Sequence, residues 1–364
     1  MNITNIRYGN LQVPLRTPFK TALRTVEMID DVVVCIETDT GHIGFGSAPP
    51  TVAITSESKE SILATLRWHI EPLLLGKAIA DLQQLCAAVQ NVCEGNSSAK
   101  AAAEIAMYDL YAQKQGKPLY QVLGGSNVQL HTDLTISVNP VEMMLVDCEL
   151  ALERGFNALK IKVGKESTLD IERLSKIYEH VDGRASLRID ANQGWTAEQT
   201  VLVLQTLENS GMVFELIEQP VLANDIDGLK YIKRRVKTPL LADESAFTLQ
   251  QVKELIKRDA IDLINIKLMK TGGLSQAIQI ADYCASNNKQ CMIGCMLEGA
   301  ISATAAVHFA IAKKHVIRKI DLDGPTLGAF NPIDSNVIFN DAVISVIDSP
   351  GLGIKQLPHV NWFN

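Results

Sequence analysis

Along the first ~50 residues, apolar and polar positions alternate. ITNIRYGNLQVPL changes character at nearly every second residue, and DDVVVCIETDTGHIGFGSA reads as two strands turned at Thr40-Gly41. From Ser56 to about Gly116 the period lengthens. SKESILATLRWHIEPLLLG and SAKAAAEIAMYDLYAQKQG carry apolar residues three and four apart, and each stops at a glycine, which predicts helices. Strands followed by helices form a compact α+β unit.

After Gly124-Gly125 short apolar runs alternate with amphipathic ones. DLTISV, ALKIKV, SLRIDA, ELIEQP, PLLADE, LINIKL, CMIGCM and RKIDLD are the strand candidates. LDIERLSKIYEHV, AEQTVLVLQTLENS and LSQAIQIADYCASN are helical patterns between them. Eight such repeats predict a (β/α)8-type barrel, in the (β/α)7β form if the last strand lacks its helix. The expected organisation is an α+β capping domain over residues 1–120, a barrel over 121–325, and a tail, 326–364, that returns to the cap.

A chain of 364 residues exceeds one typical domain, in keeping with barrel plus cap. Its formal net charge of −7 argues against nucleic acid or an anionic membrane as partner. No apolar run approaches the ~20 residues that span a bilayer, and the N-terminus reads as a strand rather than a signal peptide. Cys35, Cys86, Cys93, Cys148, Cys284, Cys291 and Cys295 are scattered without a Cys-x-x-Cys pair. That usage fits core thiols in a reducing cytoplasm better than disulfides or zinc.

Charge falls where the strands end. Five consecutive predicted strands finish in Lys160 and Lys162, Asp190, Glu218, Asp243 and Lys267, at intervals of 24 to 28 residues. Such even spacing gathers them at the C-terminal end of the barrel, where barrel enzymes hold their chemistry. A charge within an apolar strand is costly unless paired or ligated. Asp190, Glu218 and Asp243 are hard oxygen donors suited to Mg²⁺, with Mn²⁺ as a substitute; zinc would call for His or Cys. Each could instead pair with a nearby Lys or Arg. Lys160 and Lys162, two apart, face one side, and Lys267 arrives across the mouth. Crowding by cations and partial burial are expected to lower a lysine pKa towards ~7–8, where it transfers protons efficiently.

Lys160-Ile161-Lys162, Asp190-Ala191-Asn192, Ile217-Glu218-Gln219-Pro220, Ala242-Asp243-Glu244-Ser245 and Asn265-Ile266-Lys267 together resemble the enolase superfamily, in its muconate-lactonizing-enzyme-like branch, over nearly the whole chain. The resemblance implies Mg²⁺ on the three carboxylates and Lys162 and Lys267 as the acid/base pair. Lys162 then serves the R epimer and Lys267 the S epimer, while Lys160 neutralises the substrate carboxylate.

Asp321-Leu322-Asp323-Gly324-Pro325 looks like the Asp-x-Asp of dipeptide epimerases in that branch. Both aspartates share a face and need a cation. In the family it is the α-ammonium of a dipeptide; the alternative is a protein cation such as Arg318 or Lys319. Arg24, within Phe19–Val26, is similar to the arginine that holds the glutamate side chain in L-Ala-D/L-Glu epimerases, a task suited to a guanidinium. Ser47 stands where relatives often carry glutamate, a departure expected to alter the cap pocket. Thr135 and the backbone at Cys295 match positions that contact substrate. Asn192 is a supporting group, and Glu298 reads as a helix N-terminal acid, with catalytic support as the alternative.

The implied function is dipeptide epimerisation, first of all between L-Ala-L-Glu and L-Ala-D-Glu. It proceeds by 1,1-proton transfer through a Mg-stabilised enediolate, in murein peptide recycling. The expected partners are a small dipeptide and further copies of the chain in a homo-oligomer. A broad-specificity dipeptide epimerase would use the same site. So would a lyase or cycloisomerase of the succinylbenzoate-synthase or muconate-lactonizing type, although these have no evident use for Asp321 and Asp323.

Overall fold

The computed structural model describes residues 1–21, 25–164 and 166–363. Ile3–Lys20, Thr25–Thr38 and Ile43–Ala48 form an antiparallel sheet, and Thr38 N donates to His42 O at the predicted turn. Alternation along the first strand buries Ile6 and Tyr8 and exposes Arg7. The sheet lies on the 18-residue helix Ser97–Lys114, whose inner face is rich in alanine. Close approach is required there: a Cβ on Gly46 would stand 1.9 Å from Ala102 O.

The helical pattern predicted over 58–76 is not one continuous helix. Lys59–Thr65 passes through a wider π-type turn, Leu66–Ile70, into Glu71–Leu74. Pro72 explains the break, since it has no N–H to return to the preceding turn.

Eight parallel strands follow in sequence order: Leu134–Ile136, Ala158–Lys162, Ser186–Asp190, Leu216–Glu218, Leu240–Ala242, Leu263–Ile266, Gln290–Gly294 and Ile317–Asp321. Six of the eight apolar runs read from the sequence contain their strand whole, and the last two, CMIGCM and RKIDLD, begin one residue after theirs. Seven of the strands lead into a regular helix, the last of these being Ala300–Ala312; the eighth leads only to Gly324–Leu327. The form is therefore (β/α)7β. Asp133 N donates to Ile320 O and joins the first strand to the eighth.

Inside the ring, Leu216, Leu241, Leu263 and Met292 make a small apolar layer. Arg188 crosses the same interior, donating to Asp133 Oδ2 at 2.6 Å and to Ile320 O at 3.1 Å. The charged side chains thus sit on a packed floor, not in a pore. Val360–Trp362 returns to pair with the first cap strand, Leu11 opposite Val360.

Candidate active site

The barrel mouth and the cap enclose a cleft of about 640 Å³ that opens to solvent. Lys160 and Lys162 enter it from the second strand, Asp243 and Lys267 from the ends of the fifth and sixth, and Asp321 and Asp323 from the eighth. Thr135 and Cys295 line it as well, beside Phe19 and Thr21 of the cap. Asp190 and Glu218 lie beneath, fully buried. Arg24 falls outside the described residues.

Register aligns the floor of the site. Lys162 stands beside Asp190 and Asp190 beside Glu218 on adjacent strands, with Asp243 just beyond the end of the next. The pairing with lysine that the sequence left open is present. Lys162 Nζ donates to Asp190 Oδ2 at 2.5 Å and to Asn192 Oδ1 at 2.9 Å. Lys267 Nζ donates to Asp243 Oδ2 at 2.7 Å. Lys160 Nζ stands 3.8 Å from both Asp190 Oδ2 and Glu218 Oε2.

With these ammonium groups between them, no three carboxylate, His or Cys groups among the described residues are gathered closely enough to hold a metal as they stand. The donor set nonetheless fits a hard divalent cation. Three carboxylates converge from neighbouring strand ends, and Glu218 Oε2 is buried with no hydrogen-bond partner. Glu218 Oε1 is held by Asn265 Nδ2 at 2.7 Å, which leaves Oε2 as the unsatisfied oxygen.

The electrostatics reverse one expectation. Burial alone would lower the pKa of Lys160 and Lys267, but the neighbouring carboxylates overcome it and both stand above the ordinary lysine range. Asp321 and then Glu218 act on Lys160; Asp243 and then Glu218 act on Lys267. Neighbouring cations are visible along the sequence, whereas the anion that each ammonium lands on is set by the fold. Burial likewise opposes the ionisation of Asp190, yet Lys162 and Lys160 hold it below the usual carboxylate range. Glu218 goes the other way: burial and the charge of Asp190 push it up to about 7.

The cation on Asp321 is neither Arg318 nor Lys319. Lys160 Nζ donates to Asp321 Oδ2 in a short ion pair, while Lys319 pairs with Glu215. Asp323 Oδ2 accepts from Thr135 N at 2.8 Å. Ser47 does not line the cleft; its hydroxyl donates to Asp31 Oδ2 at 3.0 Å. Glu298 is buried, and it lies before the cap Gly299, outside the first turn of the helix Ala300–Ala312.

Several residues escaped the sequence reading. Lys270, 2% exposed, donates to Asp243 O at 2.5 Å and Asn265 O at 2.9 Å, tying the fifth and sixth strand ends together. Its signal was a second lysine one helical turn after Lys267. Glu244 lines the cleft, and burial followed by the charge of Asp243 pushes it to about 8. Gly294 leaves room for the second lysine: a Cβ there would lie 2.9 Å from Lys267 Cε and 2.7 Å from Asn265 Oδ1.

Known proteins resemble this chain over nearly its whole length. Residues 3–124 match the mandelate racemase / muconate lactonizing enzyme N-terminal domain, and residues 144–359 match the enolase C-terminal domain-like family. The L-Ala-D/L-Glu epimerase of Clostridium acetobutylicum is 46% identical across 98% of this chain and 99% of its own. The hydrophobic dipeptide epimerase of Enterococcus faecalis is 37% identical across 98% of this chain and 100% of its own. The substrate-liganded structure of the L-Ala-D/L-Glu epimerase from Bacillus subtilis superposes with a TM-score of 0.95 at 43% identity, covering 97% of this chain and 99% of that one. The E. faecalis enzyme, complexed with Mg and the dipeptide L-Leu-L-Tyr, gives 0.94 at 36% identity, covering 98% and 100%.

Proposed function

We infer that this chain, which belongs to the mandelate racemase / muconate lactonizing enzyme family of the enolase superfamily, is a dipeptide epimerase that acts on the glutamate α-carbon of L-Ala-Glu. One observation carries the reading. Lys162 and Lys267 open into a single cleft from strands four apart in a ring of eight, on opposite flanks of the buried carboxylates.

The chemistry follows from that opposition. An α-proton next to a carboxylate is weakly acidic, because its loss puts a second negative charge on the same group. With the α-carbon between the lysines, one amine takes the proton and the opposite ammonium delivers another to the far face. Lys162 would serve the R epimer and Lys267 the S epimer. Lys160 would face the substrate carboxylate, adding positive charge where negative charge develops.

Asp190, Glu218 and Asp243 would hold Mg²⁺, or Mn²⁺ in its place. Bound there, the ion would polarise the substrate carboxylate as a Lewis acid. Asp321 and Asp323 would receive the α-ammonium, Thr135 and the Cys295 backbone would border the substrate, and Arg24 would hold its glutamate carboxylate. All seven cysteines are free, which supports the cytoplasm as the setting. We further propose murein peptide recycling as the pathway and a homo-oligomer as the working form.

Incubating a dipeptide panel with Mg²⁺ in D₂O tests the reading. Deuterium should enter the α-carbon of L-Ala-L-Glu as its stereochemistry changes. Elimination or ring closure without inversion would count against an epimerase and for a lyase. Arg24→Met should lower kcat/KM for Ala-Glu more than for an apolar dipeptide, and equal losses would remove the glutamate preference.

A further inference from the structure

Away from the reacting groups, one buried carboxylate joins the two halves of the molecule. Asp31 sits on the second cap strand, opposite Leu11, with no solvent exposure. Its Oδ2 accepts from Ser47 Oγ on the neighbouring strand and from Gly299 N of the barrel, both at 3.0 Å. Gly299 is the cap of the 13-residue helix Ala300–Ala312, so the carboxylate also meets the positive end of a helix. Next to this contact, Ala300 and Ile301 pack with Leu11 and Val33 of the cap sheet.

The segment between the seventh strand and that helix is short. It begins after Gly294, ends at Gly299, and contributes Cys295, Met296 and Leu297 to the wall of the cleft. One end is fixed by the barrel sheet. The other is fixed by Asp31. We propose that Asp31 is a positioning residue that sets the shape of this wall, and through it the affinity for the dipeptide, by tying Gly299 to the cap sheet.

The surroundings suit such a tie. A Cβ on Gly299 would stand 2.8 Å from Asp31 Oδ2, so the backbone approaches as closely as it can only without a side chain. Ser47 supplies a donor where a glutamate would add a second carboxylate facing Asp31. Glu298 is buried too; burial and then Asp31 hold its carboxyl up at about 8, and burial holds Asp31 at about 7. Asp30 adds to the negative charge at Asp31, and Lys267 opposes it at Glu298. A group kept here against that cost is held by its two donors, and the loop depends on it.

The inference rests on the epimerase reading, and its test separates the two. Asp31→Ala should raise KM for the preferred dipeptide about tenfold while kcat stays within about threefold. Asp31→Asn keeps an acceptor for Gly299 N and should restore KM to within about threefold of the parent. Hydrogen exchange at the Gly299 amide, read without substrate, should be slow in the parent and in Asp31→Asn, and at least ~10-fold faster in Asp31→Ala. Fast exchange at Gly299 in the parent overturns the tie even if Asp31→Ala fails to fold. An active parent with unchanged KM in Asp31→Ala, or with kcat lost and KM kept, overturns the proposal alone. A parent that turns over no dipeptide overturns the reading beneath it.

Discussion

Lys160, on the second barrel strand, donates to Asp321, on the eighth, past the intervening first strand. The residue expected to meet the substrate carboxylate is thereby held by one expected to meet the substrate ammonium. Asp321→Asn should cost free-amino dipeptides about 10- to 100-fold in kcat/KM, as loss of a charged hydrogen bond does. N-acetylated dipeptides, which lack the ammonium, should lose far less. Equal losses on both would mean that Asp321 serves only to hold Lys160.

The two-base arrangement makes a stereochemical prediction. Lys162→Ala and Lys267→Ala should each reduce epimerisation by about 10³-fold or more. Each should still exchange the α-proton of one epimer with D₂O, and the two variants should choose opposite epimers. Retained turnover in either variant would remove that lysine from the mechanism.

Glu218 tests the metal site without reference to turnover. Glu218→Gln keeps an oxygen but loses the charge, so calorimetric Mg²⁺ affinity should fall at least ~10-fold. The same change replaces a buried carboxylate oxygen that has no hydrogen-bond partner, while Lys160 and Lys267 keep their closer ion pairs with Asp321 and Asp243, so the metal-free variant should melt no lower than the parent. A chelator should abolish α-proton exchange, and added Mg²⁺ should restore it.

His308 predicts an acid-sensitive stability. It is buried, Nδ1 accepts from Tyr120 N at 3.2 Å, and burial lowers its pKa to about 4. The unfolded state therefore binds the proton first. Stability from this group is complete above about 6.5, is lost as pH falls, and levels off below about 4, a change of up to roughly 3 kcal/mol. Urea unfolding of the parent and of His308→Gln across that window should show the difference between them shrinking as pH falls. A constant difference would mean that His308 does not titrate there.

Much of this architecture was legible because parallel barrel strands are buried on both faces. They read as short apolar runs, and an ionisable residue at the end of one stands out. Lys162, Asp190, Glu218, Asp243 and Lys267 were visible for that reason. What stayed hidden depended on contacts between distant segments. Nothing local to Lys160 announces Asp321 and nothing local to Lys267 announces Asp243, so the anions that hold these two ammonium groups above the ordinary lysine range lie beyond any local pattern. Asp31 looked like one of two acidic residues at the start of a strand. Glu244 and Lys270 sit in ordinary-looking loop and turn sequence, where a buried charge and a solvated one are spelled alike.

Gly294 has a consequence for how this protein tolerates change. It offers no acid, base or ligand, yet the stem of Lys267 and the amide of Asn265 occupy the space its side chain would need. In a saturation library scored for turnover, even alanine at this position should rank among the most damaging substitutions. The intolerant positions would then mark the outline of the catalytic groups as well as the groups themselves. A redesign that spared every charged residue in the cleft could still silence the enzyme by adding one methyl group.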